Sequence, residues 1–163
     1  MNVLGAPTTD ELHWLWAGAS ALLFLLICAA CLWPRRRTIV VAGDMLVVYA
    51  SQTGQAEAIA RRTQAQLAGG GVEATLASLS QVDPTTLAGA KTILCVASTT
   101  GEGDAPDEAR AFEARWFAAH PDLSRQNFAV LALGDRKYDP FCAFGLRLHA
   151  WLDTCGARPW RLA

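Results

Sequence analysis

The chain lacks the short motifs that identify most nucleotide-binding proteins. No lysine follows the glycine of Ser51-Gln52-Thr53-Gly54, so the GxxxxGK[ST] nucleotide loop is absent. No GxGxxG occurs anywhere, which removes the dinucleotide fingerprint. Neither sign of charge dominates: 14 Lys and Arg stand against 15 Asp and Glu, a net −1, and no basic patch or charge run points to nucleic acid. There are five cysteines, at 28, 31, 95, 142 and 155. The one CxxC, Cys28-Ala-Ala-Cys31, has no partner pair, so neither a zinc site nor a disulfide scaffold is indicated and a reduced compartment fits. No nucleophile–base pair and no metal set is visible.

What the chain does have is one long apolar run. Leu12 to Pro34 carries no formal charge, enough helix for roughly 30 Å, one bilayer core. Trp14, Trp16 and Trp33 mark its ends; Asp10 and Glu11 lie on one flank and Arg35-Arg36-Arg37 on the other. A cleaved signal peptide wants its positive charge before the apolar stretch, and here it comes after. The expectation is a short extracytoplasmic N-terminus over 1–11, a single transmembrane helix over 12–34, a basic linker over 35–44, and a domain over 45–163 in the cytoplasm at the inner membrane.

The domain is organised around Met45 to Ala58. Met45–Ala50 is an unbroken apolar run and reads as a buried strand. A sharp turn, Ser51 to Gly54, leads into a helix from Gln55 to Leu67 with Ala56, Ile59, Ala60, Thr63 and Leu67 on one face. Strand, hydroxyl-rich turn and helix start form an anion cradle: the first amides of a helix are unpaired, and its dipole places partial positive charge there. Ser51 and Thr53 add hydroxyls, and Gly54 allows close approach. Gly69-Gly70-Gly71 ends this helix. Further strands are expected over Val72–Leu79, near an edge, and Lys91–Ala97, Asn127–Leu133 and Arg158–Leu162. Asp83-Pro84 marks a turn or one helical turn. Helices are expected over Asp104–His120, with Ala109, Phe112, Trp116 and Ala119 inward, and from Asp139-Pro140, with Asp139 as cap and Phe141, Phe144, Leu148, Trp151 and Leu152 inward. Strands alternating with helices mean right-handed βαβ units, a doubly wound α/β fold with a parallel sheet covered on both faces.

Ligands of such sheets bind beyond the carboxyl ends of the strands. The loops there are Ser51–Gln55, Ser98–Asp104 and Gly134–Phe141. The second holds three hydroxyls, Ser98, Thr99 and Thr100, with Gly101, Glu102 and Gly103, whose backbone can face a flat polar edge. The third presents Tyr138. A phosphate cradle, a polar edge and an aromatic face together describe a phosphorylated planar cofactor.

Three stretches, VVYASQTGQAEAIA, ASTTGEGDAPDEA and FAVLALGDRKYDPFCAFGLRLHAWL, make residues 45 to 160 resemble the flavodoxin-like FMN-binding domain of the diflavin reductases, most closely the sulfite reductase flavoprotein type. The resemblance implies a flavodoxin-like sheet of order 2-1-3-4-5. It makes Ser51, Gln52, Thr53, Gly54, Gln55 and Ala56 the phosphate loop, places Ser98, Thr99, Thr100, Gly101, Glu102 and Gly103 beside the isoalloxazine, and makes Leu133, Gly134, Asp135, Tyr138, Phe141 and Cys142 the third wall, with Tyr138 stacked on the ring. The charge of Asp135 is expected to affect the flavin potential.

Two departures from the family stand out. Many relatives carry an aromatic where Thr100 stands, so one flavin face is expected to be less covered. The family continues past position 163 with a final helix and with FAD- and NADPH-binding modules; a truncated domain with an open apolar sheet face is therefore expected. The implied function is a membrane-anchored electron-transfer module that relays electrons between an FAD/NADPH-type reductase and a redox acceptor, with Glu102, Asp104, Asp107 and Glu108 available to dock a basic partner. A flavin-free scaffold of the same fold and a flavodoxin-type quinone reductase are the alternatives.

Overall fold

The computed structural model describes residues 9–32 and 39–160, in two units, Met1–Arg36 and Arg37–Ala163. In the first, Thr9–Leu32 form a 24-residue helix, α1. Its described side chains run from Trp16 to Cys28, and those from Trp16 to Ile27 are exposed. Among the described residues no helix is long and apolar enough to cross a membrane. The span expected over 12–34 ends outside them, as does the arginine run.

The second unit runs β1 (Met45–Ala50), α2 (Gln55–Gly69), β2 (Ala74–Ser78), a 3-10 turn (Leu79–Gln81), α3 (Pro84–Ala88), β3 (Thr92–Ser98), α4 (Asp107–Trp116), β4 (Asn127–Leu133), α5 (Ala143–Thr154) and β5 (Arg158–Pro159). The strands pair in parallel in the order β2-β1-β3-β4-β5, as expected for the flavodoxin-like class. Period-two alternation along them builds two cores. On one face Leu46, Val48, Ile93, Cys95 and Phe128 pack under Leu87, Phe112, Phe144, Leu148, Trp151 and Leu152. On the other, Val47 and Val96 pack under Ala56 and Ala60 of α2, with Leu94 and Leu133 half-buried beside them. Leu131, paired with Val96, shares this second face and is 49% exposed. The second face is thus open at Leu131, in line with the apolar sheet face expected to be uncovered, while Leu133 beside it is half-buried.

Other expectations shift for local physical reasons. The expected linker is not free over its described part. Ile39 and Val41 pack on the first core, and the Ala42 N–H donates to Thr75 Oγ1 (2.7 Å) while the Thr75 hydroxyl donates to the Ala42 carbonyl (3.2 Å). Helix α4 is shorter than 104–120 at both ends. At its start the Thr100 and Asp104 backbones pair with each other. At its finish the Trp151 Nε1–H donates to the carbonyls of Trp116 (2.9 Å) and Ala119 (3.0 Å). Asp139 does not cap α5: the helix begins at Ala143 behind Cys142, whose φ of 55° is left-handed, and Phe141 stays exposed. Gly145 permits close seating of α5 on β4, since a Cβ there would lie 2.4 Å from that of Ala132.

Two measurable consequences follow from the core. Trp151→Phe keeps the ring contacts with Phe112 and Phe117 but takes the indole donor from the Ala119 carbonyl and leaves the Trp116 carbonyl with only the Ala119 N–H, and is expected to cost about 1–2 kcal/mol in urea unfolding. Burial pushes the Cys95 thiol from 9.0 up to about 12. The thiol is held neutral in the fold, so its contribution is complete below pH 9.0 and is lost as pH rises toward about 12. The unfolding free energy of the wild type is expected to fall more steeply above pH 9.0 than that of Cys95→Ala; parallel curves would refute this.

Candidate cofactor site

The three loops meet at the carboxyl ends of β1, β3 and β4. The first turns through Gly54, whose φ of 86° suits glycine, into α2. No side chain caps α2, and the first backbone pairing is from the Ala58 N–H to the Gly54 carbonyl (2.9 Å). The amides before it therefore face outward as donors. Residues 52–55 are exposed, whereas the Ala56 side chain is fully buried in the second core, so only its amide is available to the cradle.

The second loop is knitted to itself and to its neighbours. The Thr100 N–H donates to the Asp104 carbonyl (2.9 Å) and the Asp104 N–H to the Thr100 carbonyl (2.8 Å). The Thr100 hydroxyl turns inward to the carbonyls of Asp104 and Ala105, 3.3 Å each; at this position the side chain shapes the loop rather than walling a ligand. Gly101 and Gly103 have positive φ, and Glu102 is exposed. The Thr99 N–H donates to the Leu133 carbonyl (2.9 Å), which joins the second loop to the third. Arg147 of α5 donates from Nη1 to the Gly103 carbonyl (2.8 Å) and from Nε to Glu113 (2.8 Å), a tether the sequence did not disclose.

The third loop, Gly134 to Phe141, is exposed throughout. Asp135 shapes it: Oδ1 accepts from the Lys137 N–H (2.9 Å) and the carbonyl accepts from the Tyr138 N–H (3.1 Å). This turn presents the Tyr138 ring at the surface, 60% exposed. Cys142 is buried, and its thiol donates to the Ala132 carbonyl (3.4 Å); it closes the loop from behind. Ser98 ends β3 at the same rim.

The acids expected to dock a partner divide. Asp107 lies beside Arg110 (3.3 Å) and also pairs with Gln52. Glu108 is turned inward onto Ser51 and Ser78 and is not part of an outward acidic surface. Burial first, then the carboxylates of Glu57 and Glu108, push the Tyr49 phenol above its ordinary range.

Two polar atoms test whether these residues suit a bound group. Ser51 Oγ and Thr99 Oγ1 are buried and have no hydrogen-bond partner. Such orphans are costly unless a ligand completes them. One sits at the anion cradle and the other at the rim of the second loop, so the donors fit a phosphate and a polar ring edge, with Tyr138 as the ring face. Among the described residues no cluster could hold a metal ion.

Comparisons with known proteins agree with this geometry. The flavodoxin family model matches residues 47–159. The chain is 36% identical over 119 residues to the sulfite reductase [NADPH] flavoprotein alpha-component of Bacillus subtilis, covering 72% of this chain and 20% of that protein. It is 35% identical to the Aliivibrio fischeri protein of the same name, with the same coverage. It thus spans about one-fifth of the length of the curated relatives it matches. Among solved structures, oxidised flavodoxin 2 from Bacillus cereus superposes with a TM-score of 0.66 at 28% identity, covering 73% of this chain and 80% of that one. The flavodoxin of Streptococcus pneumoniae TIGR4 gives 0.63 at 27%, covering 71% and 78%. With cradle, polar edge and aromatic face on one fold, the chain belongs to the flavodoxin family, as an FMN-binding electron-transfer domain similar to the flavodoxin domain of the sulfite reductase flavoproteins.

Proposed function

We propose that this module relays electrons one at a time between a separate nicotinamide-dependent reductase of the FAD/NADPH type and a redox acceptor, and that α1 holds it at the cytoplasmic face of a membrane. The observation that carries the relay is the exposure of the whole third loop, Gly134 to Phe141. A ring resting on Tyr138 lies at the protein surface, open to a docking protein. Bound FMN supplies the redox chemistry, taking up two electrons and releasing them singly. The chain's own residues bind and orient it: α2 and Ser51 hold the phosphate, the 98–103 loop meets the ring edge, and Tyr138 covers a face. The likeness to proteins whose name includes NADPH supports a nicotinamide-dependent donor.

The membrane reading rests on α1. It carries most of the uncharged run 12–34, the rest of which lies outside the described residues. Its Leu22–Ile27 side chains are exposed all round, Phe24 to 66%. A helix apolar on every side is stable in lipid or in a core, not in water, and the arginines at 35–37 support a cytoplasmic position for the domain that follows, by the positive-inside rule.

The full chain is expected to purify yellow, or to take up added FMN with quenching of flavin fluorescence. It is expected to be reduced by NADPH only when a reductase is added, and to stay with membranes through an alkaline carbonate wash. A colourless chain that ignores FMN favours the scaffold, NADPH oxidation by the chain alone contradicts the relay, and release by carbonate refutes the anchor.

A further inference from the structure

The residue that the binding-site pattern did not absorb is Glu108. It lies in the first turn of α4, where a carboxylate is favoured by the helix dipole and ordinarily faces water. Here both oxygens are committed to groups distant in sequence. Oε1 accepts the Ser51 N–H (2.5 Å) and Oε2 accepts the Ser78 hydroxyl (3.1 Å). Ser51 follows β1 and Ser78 ends β2, so one side chain links the carboxyl ends of two adjacent strands to a helix on the far side of the loop. Its neighbour adds a reciprocal pair: the Asp107 N–H donates to Gln52 Oε1 (2.9 Å) and Gln52 Nε2 donates to Asp107 Oδ2 (3.1 Å). Residues 51–52 are clamped to residues 107–108 on both sides.

Resting on the FMN reading above, we propose that Glu108 is a positioning residue for the phosphate loop and thereby sets the preference for a phosphorylated flavin over an unphosphorylated one. By taking the Ser51 N–H it fixes the peptide from which the cradle starts. The Ser51 hydroxyl, buried and without a partner, is then held toward the ligand with the amides that follow. Ser78 fixes the other oxygen and is itself held, because its hydroxyl accepts the Ser80 N–H (3.3 Å). A bidentate carboxylate on a half-buried, well-packed frame has little freedom, so the loop is set before a ligand arrives and the ordering cost of binding is reduced. No hydrogen bond of this clamp is made to a residue of the second loop, 98–104, or of the third, so the contacts to the flavin ring are expected to change less than those to the phosphate.

The test compares two ligands, FMN and riboflavin, which share the ring and differ in the phosphate. Dissociation constants are measured by fluorescence quenching with the full chain. Glu108→Met keeps the volume and removes both acceptors; Glu108→Gln keeps an acceptor for Ser51 and offers its amide to the Ser78 oxygen. Of the two bonds lost in Glu108→Met only that to the Ser51 N–H holds the phosphate loop directly, and one charge-assisted hydrogen bond corresponds to about tenfold, so Glu108→Met is expected to weaken FMN by roughly that factor with riboflavin changed less than about twofold, and Glu108→Gln is expected to restore FMN to within about threefold of wild type. Equal loss for both flavins, no loss for either, or a glutamine variant as weak as the methionine one overturns the proposal. Should Glu108→Met fail to fold, Ser78→Ala removes the second anchor together with the acceptor of the Ser80 N–H, and leaves the Ser51 bond; a smaller loss confined to FMN supports the proposal, and an equal loss for both flavins overturns it. A wild-type chain that binds neither flavin sinks the FMN reading, and this proposal with it, before any variant is made.

Discussion

Riboflavin is expected to bind this chain at least about 100-fold more weakly than FMN. A hydrogen bond to a charged group contributes about 1.5–3 kcal/mol, and a factor of 100 needs only about 2.7. The cradle offers the Ser51 hydroxyl, buried and unpartnered, together with the uncapped start of α2. The dipole of α2 adds about 0.3–1 kcal/mol for a charge at its N-terminus. Two such donors suffice for the expected gap, and the loop presents more than two. The alternative is that stacking on Tyr138 dominates; an aromatic pair contributes about 0.5–1.5 kcal/mol beyond its burial and acts equally on both flavins. The phosphate therefore decides the difference, and the ring decides what the two ligands have in common. The sign of the pH dependence follows. A phosphate monoester loses its second proton near pH 6, so the gap is expected to narrow as pH falls through about 6 while riboflavin binding stays level. Titration of both flavins at pH 5 and 8 and fixed salt checks this, and affinities within threefold of each other at pH 8 would remove the phosphate cradle from the account.

Much of this architecture is legible without coordinates because its signals are local. β1, β3 and β4 are apolar runs bounded by polar turns. A strand buried on both faces cannot alternate, so Leu46, Val47 and Val48 announce a central strand. Gly54 and the Ser51-Gln52-Thr53 hydroxyl and amide cluster mark the turn before α2 for the same reason. Helix starts were less legible. Asp139-Pro140 carries the same local signature as a true cap, but the chain around it follows a path set by tertiary contacts. Gly134 brings its backbone against Cys142, where an added Cβ would lie 2.9 Å from the Cys142 nitrogen, and the left-handed Cys142 delays α5 to Ala143. In the sequence Glu108 reads as an outward acid, because its contact with Ser51 spans 57 positions. No pattern over a dozen residues encodes a bond of that reach. Arg147 is hidden likewise: on α5 it reads as one more exposed cation, yet its partner is the Gly103 carbonyl in another loop, 44 positions away. Periodicity locates what each element buries, and the cross-loop hydrogen bonds that set a binding geometry have no period.

Phe144→Ala is expected to destabilise the fold by about 3–5 kcal/mol, the cost of a large cavity in a core that relaxes only in part. Phe144 is fully buried, stacks on Phe117 with ring centroids 6.4 Å apart, and lies under the Arg147 guanidinium. Domains of this size have about 5–15 kcal/mol in total, so the variant is expected to fold marginally, with a midpoint lower by roughly 10–15 °C. The site should suffer as well, because α5 holds two of its loops. Cys142 at its start closes the third, and Arg147, one turn beyond Phe144, tethers the second through Gly103. A ligand present at 100 times its dissociation constant restores only about 2.7 kcal/mol, less than the expected loss, so saturating FMN should recover part of the midpoint and not all of it. Thermal melts of the full chain with and without FMN distinguish the cases. Full recovery would mean that the packing under α5 relaxes around the missing ring. No recovery, with FMN still bound by the wild type, would mean that the second and third loops depend on α5 so strongly that the site is lost before the fold.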